Sequence, residues 1–289
     1  MRRVAVVRVG MLALIWGSNF LWIKLAVRGF SPAEVTFIRL VLGAAVLVPI
    51  VAVRHDELPK SAVQWAHLTV AALFANAAPY LLFAIGEQHV ASSTAGMLNT
   101  TTPLWTILIA LAVRHQKATS LRQTTGIILG FGGAVLIFAP WQSQSGLVSA
   151  GTIECLAAAA SYGISYVYMD RYLARRGLSA VALSACQLLS AAIWLALPLG
   201  IAGAPAPRWG TVAVISVLVL GLIGTGAAYV LNYQIITSDG ATVASTVTYL
   251  LPVVAIILGV VILSEHIAPA AIAGTAVVLG GVALARGRN

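Results

Sequence analysis

Two prolines keep polar company inside apolar runs. Asn99-Thr100-Thr101-Thr102 precedes Pro103, and Thr248-Tyr249 precedes Pro252. Proline withholds a backbone donor and crowds the carbonyl four residues back, here those of Asn99 and Thr248. Freed carbonyls in an apolar run need partners or a wet cavity. A polar run at a helix break, met twice, fits a small-solute site at mid-depth of a helical bundle. A kink that serves packing alone is the alternative. Either way Pro103 and Pro252 are the expected hinges. Around them, Asn76, Tyr80, Phe83 and Glu87 recur at steps of four, three and four, which puts them on one helix face. Trp16 and Asn19 share another face, and Tyr162, Ser165 and Tyr166 share a third with Glu154. Tyr229, Asn232 and Tyr233 form a fourth group. The expected solute-contacting set is therefore Trp16, Asn19, Asn76, Tyr80, Phe83, Asn99, Thr102, Tyr162, Tyr166, Tyr229, Asn232, Tyr233 and Tyr249. Tyrosine offers both a flat apolar face and a hydroxyl, so the set suits partly apolar, even aromatic, solutes.

Ionisable residues within apolar runs are few, and each has two readings. Glu154 and Glu87 are candidates for proton coupling, against a helix-start carboxylate serving the helix dipole at Glu154. Glu34 and Arg39 are structural or gating charges, with Arg39 pairing either Glu34 or Glu87. Lys24 and Asp170 fall near the ends of apolar runs, where they snorkel or form a surface pair. Glu265, beside His266, caps a helix start or handles protons. Enzyme chemistry finds little support: no HExxH pairs the five histidines, and no GxxxxGK[ST] is present. Cys155 and Cys186 lack metal or redox spacing and read as small buried hydrophobes. No metal, cofactor or catalytic residue is expected.

The elements that must hold these residues are apolar helices. Of 289 residues, 60% are hydrophobic and 9% charged, against about 25% charged in a soluble domain. A soluble chain of this length cannot hide so much apolar surface, whereas a bilayer can. Hydropathy and breakers predict ten spans, at 5–26, 32–53, 62–86, 91–113, 120–139, 149–170, 180–201, 210–235, 241–263 and 268–286. The net charge of +9 is distributed by loop. With the N-terminus in the cytoplasm, 13 Lys and Arg lie in inner segments and only Arg28 and Arg208 in outer ones, so both termini are expected inside. Trp65, Trp141 and Trp209 fall near span ends, where an aromatic belt forms. No basic helix suited to a nucleic-acid groove occurs. The partners expected are lipid and a small solute, in a monomer or homodimer.

The halves repeat. Pro49/Pro198, Tyr80/Tyr229, Ala95/Ala244 and Pro103/Pro252 are each 149 apart. Ser31/Ser179, Arg39/Gln187, Gly126/Gly274 and Gly132-Gly133/Gly280-Gly281 are 148 apart. With five spans per half, the second copy must enter the membrane upside down, as in many carriers. The expected fold is thus all-α, ten transmembrane helices as two inverted five-helix repeats, residues 1–140 and 141–289. Leu14-Ile15-Trp16-Gly17-Ser18-Asn19-Phe20, Ser31-Pro32 with Phe37-Ile38-Arg39, and Leu263-Ser264-Glu265 with Gly274 and Gly280-Gly281 resemble EamA-type members of the drug/metabolite transporter superfamily. The resemblance spans nearly the whole chain. It implies a multi-pass inner-membrane protein, cytoplasmic termini, and export of amino acids, other metabolites or drugs. The family glutamate is matched by Glu265, while Gln116 or Lys117 holds that place in the first half. A carrier alternating about a central cavity is one function class; a passive facilitator or channel and a lipid-carrier flippase are others.

Overall fold

A computed structural model describes residues 3–113, 121–138, 149–173, 177–202, 207–239 and 247–286. Arg2, Arg114, Gln116, Lys117, Trp141, Arg175, Arg176, Ala244 and Arg288 lie outside the described residues. Among the described residues ten helices follow in order. They are α1 (Arg3–Ala26), α2 (Pro32–Val53), α3 (Ala62–His89), α4 (Ser92–Ala112) and α5 (Leu121–Phe138), then α6 (Ala150–Tyr172), α7 (Ala180–Ala202), α8 (Thr211–Leu218 continuing to Ala228–Asp239), α9 (Val247–Leu263) and α10 (Pro269–Arg286). Five of them, α1, α2, α3, α4 and α8, carry runs long and apolar enough to cross a membrane; shorter apolar helices run over Leu121–Ile137, Ala180–Ala196, Val247–Leu263 and Pro269–Ala285.

The outer surface explains the composition. Ile128 is 67% exposed, Val261 74% and Ile193 64%. Large apolar side chains turned outward on helix after helix suit lipid. The interior is sealed by small residues. On α5 and α10, a Cβ at Gly126 would lie 2.6 Å from the Gly281 carbonyl, and one at Gly133 2.6 Å from that of Gly274. The early glycine of one helix meets the late glycine of the other, so α5 and α10 run antiparallel with backbones in contact, as small residues allow in lipid. Packing across the halves follows a two-fold pattern: α5 on α10, α2 on α7, α3 on α6 with α1 on α8, and α4 on α6 with α1 on α9.

Three helices depart from a regular α-helix. In α3 the turn Leu73–Ala77 is a π-helix, and in α8 Val219–Ala227 is one. Adding 149 to 73–77 gives 222–226, inside the second π segment, so the bulge recurs in both halves. In α3 the cause is Pro79, which offers no donor to the carbonyl of Ala75. In α8 the segment holds Gly221, Gly224 and Gly226, where Leu42, Asn19 and Val46 press against the backbone. The third departure separates the two proline helices. Helix α4 is interrupted at Thr100–Thr101, between Ser92–Asn99 and Thr102–Ala112, with Pro103 in the first turn of the second piece. Helix α9 carries Pro252 inside an uninterrupted run. The expectation of two broken helices is therefore corrected to one. The cause is local: Thr100 and Thr101 donate their hydroxyls to the carbonyls of Met97 and Leu98. The positions 149 later are Tyr249 and Leu250, which have no such short hydroxyl.

Candidate functional site

The helices line a cavity of about 370 Å³, within the usual size for small-molecule sites. Eight helices line it, α1 to α4 and α6 to α9; α5 and α10 stand outside. Of the expected contact residues, Trp16, Asn19, Tyr80, Phe83, Asn99, Thr102, Tyr162, Tyr166, Tyr229 and Asn232 line it. A shallower depression of about 460 Å³ beside Arg28, Arg208 and Trp209 shares no residue with it.

At its centre lies a tyrosine pair, one from each half. The Tyr80 and Tyr229 hydroxyls are 3.3 Å apart, and Asn76 donates its amide to both, at 3.4 and 3.0 Å. Trp16 meets the Tyr229 ring edge-on at 6.4 Å. Phe83 stands between Phe20, at 5.5 Å, and Tyr162, at 6.2 Å. Asn19 reaches the Gly224 carbonyl in the π segment of α8 at 3.4 Å, leaving its own amide oxygen without a partner. Asn76 sits one row behind the wall, 1% exposed, and braces the tyrosines. Tyr233 and Tyr249 do not line the cavity. Tyr233 lies under Arg54, which donates to its hydroxyl at 3.4 Å, and Tyr249 packs against the apolar core. Tyr233 lies one turn beyond Tyr229 on the same face of α8, where the Arg54 guanidinium stands over its ring.

Two further sides of the cavity were not expected from sequence. One is α7, with Ser184 and Gln187; its polar residues are isolated within an apolar run, without a repeated stripe to mark them. The other is Arg39. Its Nε donates to Thr225 Oγ1 at 2.8 Å and its guanidinium lies 3.8 Å above the Tyr80 ring. A cation over an aromatic face gains about 0.5–2 kcal/mol. The expected pair with Glu34 or Glu87 is absent. Glu34 instead accepts from the backbone and hydroxyl of Ser31 in a capping box at the start of α2. Only five residues separate Glu34 from Arg39, so the two point to different faces.

The acids expected to handle protons lie outside the wall. Glu87 is fully buried with neither carboxyl oxygen hydrogen-bonded, and Glu154 leaves one oxygen unpartnered. Burying such groups without partners is costly. Lys24 donates to the carbonyls of Glu87 and Val90, so it caps the end of α3 rather than snorkelling.

The ends of the cavity differ. The lining runs down to Met169, Ala180 and Ile236 and to Tyr166, which is 52% exposed, at the end of the bundle where α1 begins. At the far end the halves are stitched together. Glu265, in the turn after α9, accepts at Oε1 from the backbone and hydroxyl of Ser92, at 2.7 and 2.9 Å, and at Oε2 from the backbone of Ser93 at 3.0 Å. It thus caps α4 of the other half, not the adjacent α10. The reason is that Ala91, at the N-cap of α4, has no side chain able to cap. Burial pushes the Glu265 carboxyl up, but hydrogen bonds from Ser93 and Ser92 outweigh it and hold the group below its ordinary range. The turn is shaped for this purpose: Ser264 takes φ 54, and a Cβ at Gly259 would strike Glu265 Oε2. The Arg208 amide also donates to the Gly29 carbonyl at 2.8 Å.

Comparison with known proteins gives a consistent result. The EamA-like transporter family matches residues 6–139 and again 149–287. The uncharacterized transporter YoaV of Bacillus subtilis is 27% identical over 93% of this chain and 92% of its own. The uncharacterized inner membrane transporter YedA of Escherichia coli K12 is 25% identical over 86% of this chain and 79% of its own. A riboflavin transporter of Brucella anthropi is 30% identical over 49% of each chain. One crystal structure, 20% identical, has the same fold at a TM-score of 0.65 over 99% of this chain and 98% of that one.

Proposed function

The chain belongs to the EamA-like transporter family, and from that premise we propose that it is a secondary carrier whose two repeats alternate access to the central cavity. The coarser statement stands by itself: this is a multi-pass inner-membrane transporter. In the proposed reading all ten helices span the membrane as two inverted repeats, residues 1–140 and 141–289, with both termini in the cytoplasm. The solute is a small metabolite or drug, amino acids included, and it moves outward.

One observation carries the reading. The cavity lies between the repeats, is lined from both, runs toward the end where α1 begins, and is shut at the other end by a contact between halves, Glu265 on Ser92 and Ser93. That is the arrangement of one state of an alternating carrier. Its counterpart would part Glu265 from α4 and close Tyr166, Asn232 and Ile236 over the near end. The break at Thr100–Thr101, where the helix is interrupted ahead of Pro103, supplies a hinge in α4, and Pro252 one in α9. Glu87 and Glu154 are the groups through which proton entry would couple, since conformational change could expose them.

The test is counterflow in proteoliposomes. Vesicles are loaded with one solute from a panel of amino acids, aromatic acids and amines, and riboflavin, the last because of the named relative. Labelled solute is offered outside, with and without a pH gradient. Saturable exchange that Tyr229→Ala abolishes is the expected result. Flux that neither saturates nor depends on Tyr229 would make the protein a passive facilitator. Movement of lipid-linked substrates alone would make it a flippase.

A further inference from the structure

Among the described residues that line the cavity, Arg39 is the single one with a formal charge, and it is 5% exposed. A guanidinium is a permanent cation with five donors in a planar fork. Here Nε is taken by Thr225 and one face by the Tyr80 ring. Among the described residues its two terminal nitrogens have no acceptor, and no carboxylate stands within ion-pair distance. Glu87 is within electrostatic reach but does not line the cavity. Burying a cation without an anion is unfavourable, so an arrangement that fixes the fork and leaves its outer edge open invites an anion from elsewhere. That edge is the pair of donors that matches a carboxylate in a bidentate hydrogen bond. The position 148 residues later is Gln187, which donates to Met169 Sδ at 3.0 Å. The charge therefore sits on one side of the cavity only.

We propose that Arg39 receives the carboxylate of the transported solute, and that the carried class is organic acids bearing one carboxylate beside a flat apolar group. This rests on the carrier reading above. The carboxylate docks edge-on against Arg39, because Tyr80 covers one face of the guanidinium. The apolar body lies among Trp16, Phe83, Tyr162 and Tyr229. Among the described lining residues there is no Asp or Glu to receive an ammonium group, so an amino group adds no affinity.

The test is equilibrium binding of labelled 3-phenylpropionate to the full-length protein in detergent, in competition with phenylalanine, 3-phenylpropionamide and phenethylamine. The acid should bind about ten- to a hundredfold tighter than the amide, the range expected for a hydrogen-bonded charge pair, and phenylalanine no tighter than the acid. Arg39→Gln copies the residue of the other half. It should erase the preference for the acid while leaving the amide within about twofold, and Arg39→Lys should restore part of it. Failure of the acid to bind, equal binding of acid and amide, or a preference that survives in Arg39→Gln each overturns the proposal. If Arg39→Gln does not fold, the wild-type ratio of acid to amide decides alone. Counterflow separates this result from that of the carrier reading. Saturable exchange of the amide or amine but not the acid keeps the carrier and removes the anion site. Tight Arg39-dependent binding of the acid with no exchange of any solute keeps the site and removes the carrier.

Discussion

The two repeats share what builds the bundle and a tyrosine pair in the cavity wall, and differ in the polar residues around it. Both have a π segment in their third helix, a tyrosine at its cavity end, and the paired glycines of α5 and α10. They part at three places. Arg39 stands against Gln187, the broken α4 stands against the continuous α9, and the capping Glu265 of the second half stands against Gln116 and Lys117, which lie outside the described residues. The shared features are small residues, whose work is close packing, and the tyrosine that each half gives to the cavity wall. The differing ones are polar, and each bears on charge, hinge or closure. A symmetric scaffold with asymmetric polar residues gives one end and one side of the cavity its own character.

The comparison breaks most visibly at the glycines. Gly126→Val and Gly274→Val should each prevent recovery of folded, monodisperse protein, and to the same degree. In each the new side chain would meet backbone atoms at 2.6 Å, which cannot yield as a flexible side chain can. Overpacking typically costs about 1–3 kcal/mol, and more against backbone. Size-exclusion profiles of the two variants side by side provide the check. Tolerance of one and not the other would mean that the repeats do not share this contact equally.

The Glu265 contact should come second. Glu265→Ala removes the cap of α4, worth about 1–2 kcal/mol, and should lower the melting temperature in detergent. It should also raise the labelling of a Ser92→Cys reporter by an aqueous thiol reagent. Because the folded carboxyl titrates below its ordinary range, its contribution is present above about pH 4.3 and is lost as pH falls through the lower folded value. Labelling of Ser92→Cys should therefore be flat across neutral pH and rise only in acid. A rise near pH 6 to 7 would tie closure to another group.

Smaller again is the hinge. Thr100→Val with Thr101→Val removes the two hydroxyls that take up carbonyls at the break, and should lengthen the helical run of α4 toward that of α9. Exchange should slow by about tenfold, the loss following from a stiffer hinge rather than weaker binding, so the apparent affinity should hold. Affinity falling with rate would place these threonines in the binding wall.

Much of this was legible in the chain. Helix positions emerge from long apolar runs, and the shared polar positions from the repeat, which is why ten of thirteen expected contact residues line the cavity. The stripe through Asn76, Tyr80 and Phe83 was readable because helical spacing sets a face. What spacing could not give is reach between helices distant in sequence. Glu265 looks like a cap for the helix that follows it, and only packing brings Ser92 within 2.7 Å. Arg39 looks like half of an ion pair with Glu34, until the capping box takes Glu34 away. The π segments left no periodic mark, since an added residue per turn breaks the pattern that would reveal it.

The finest contrast lies between two tyrosines of α8 four residues apart. Tyr229 and Tyr233 both carry hydroxyls with polar neighbours in space, Asn76 and Tyr80 for the first and Arg54 for the second. Their surroundings differ. The Tyr229 hydroxyl is received inside the bundle, where a lost hydrogen bond leaves the Asn76 amide wanting a partner and costs about 1 kcal/mol. The Arg54 contact is long, at 3.4 Å, and exposed, so its loss should cost under about 0.5 kcal/mol. Tyr229→Phe should lower the melting temperature and weaken solute affinity. Tyr233→Phe should leave affinity unchanged and the melting temperature nearly so. If Tyr233→Phe weakens affinity as much as Tyr229→Phe does, the wall extends further toward the near end than the cavity drawn here. Tyr233 would then act as a lid residue at the end of the cavity where α1 begins, as well as a partner for Arg54.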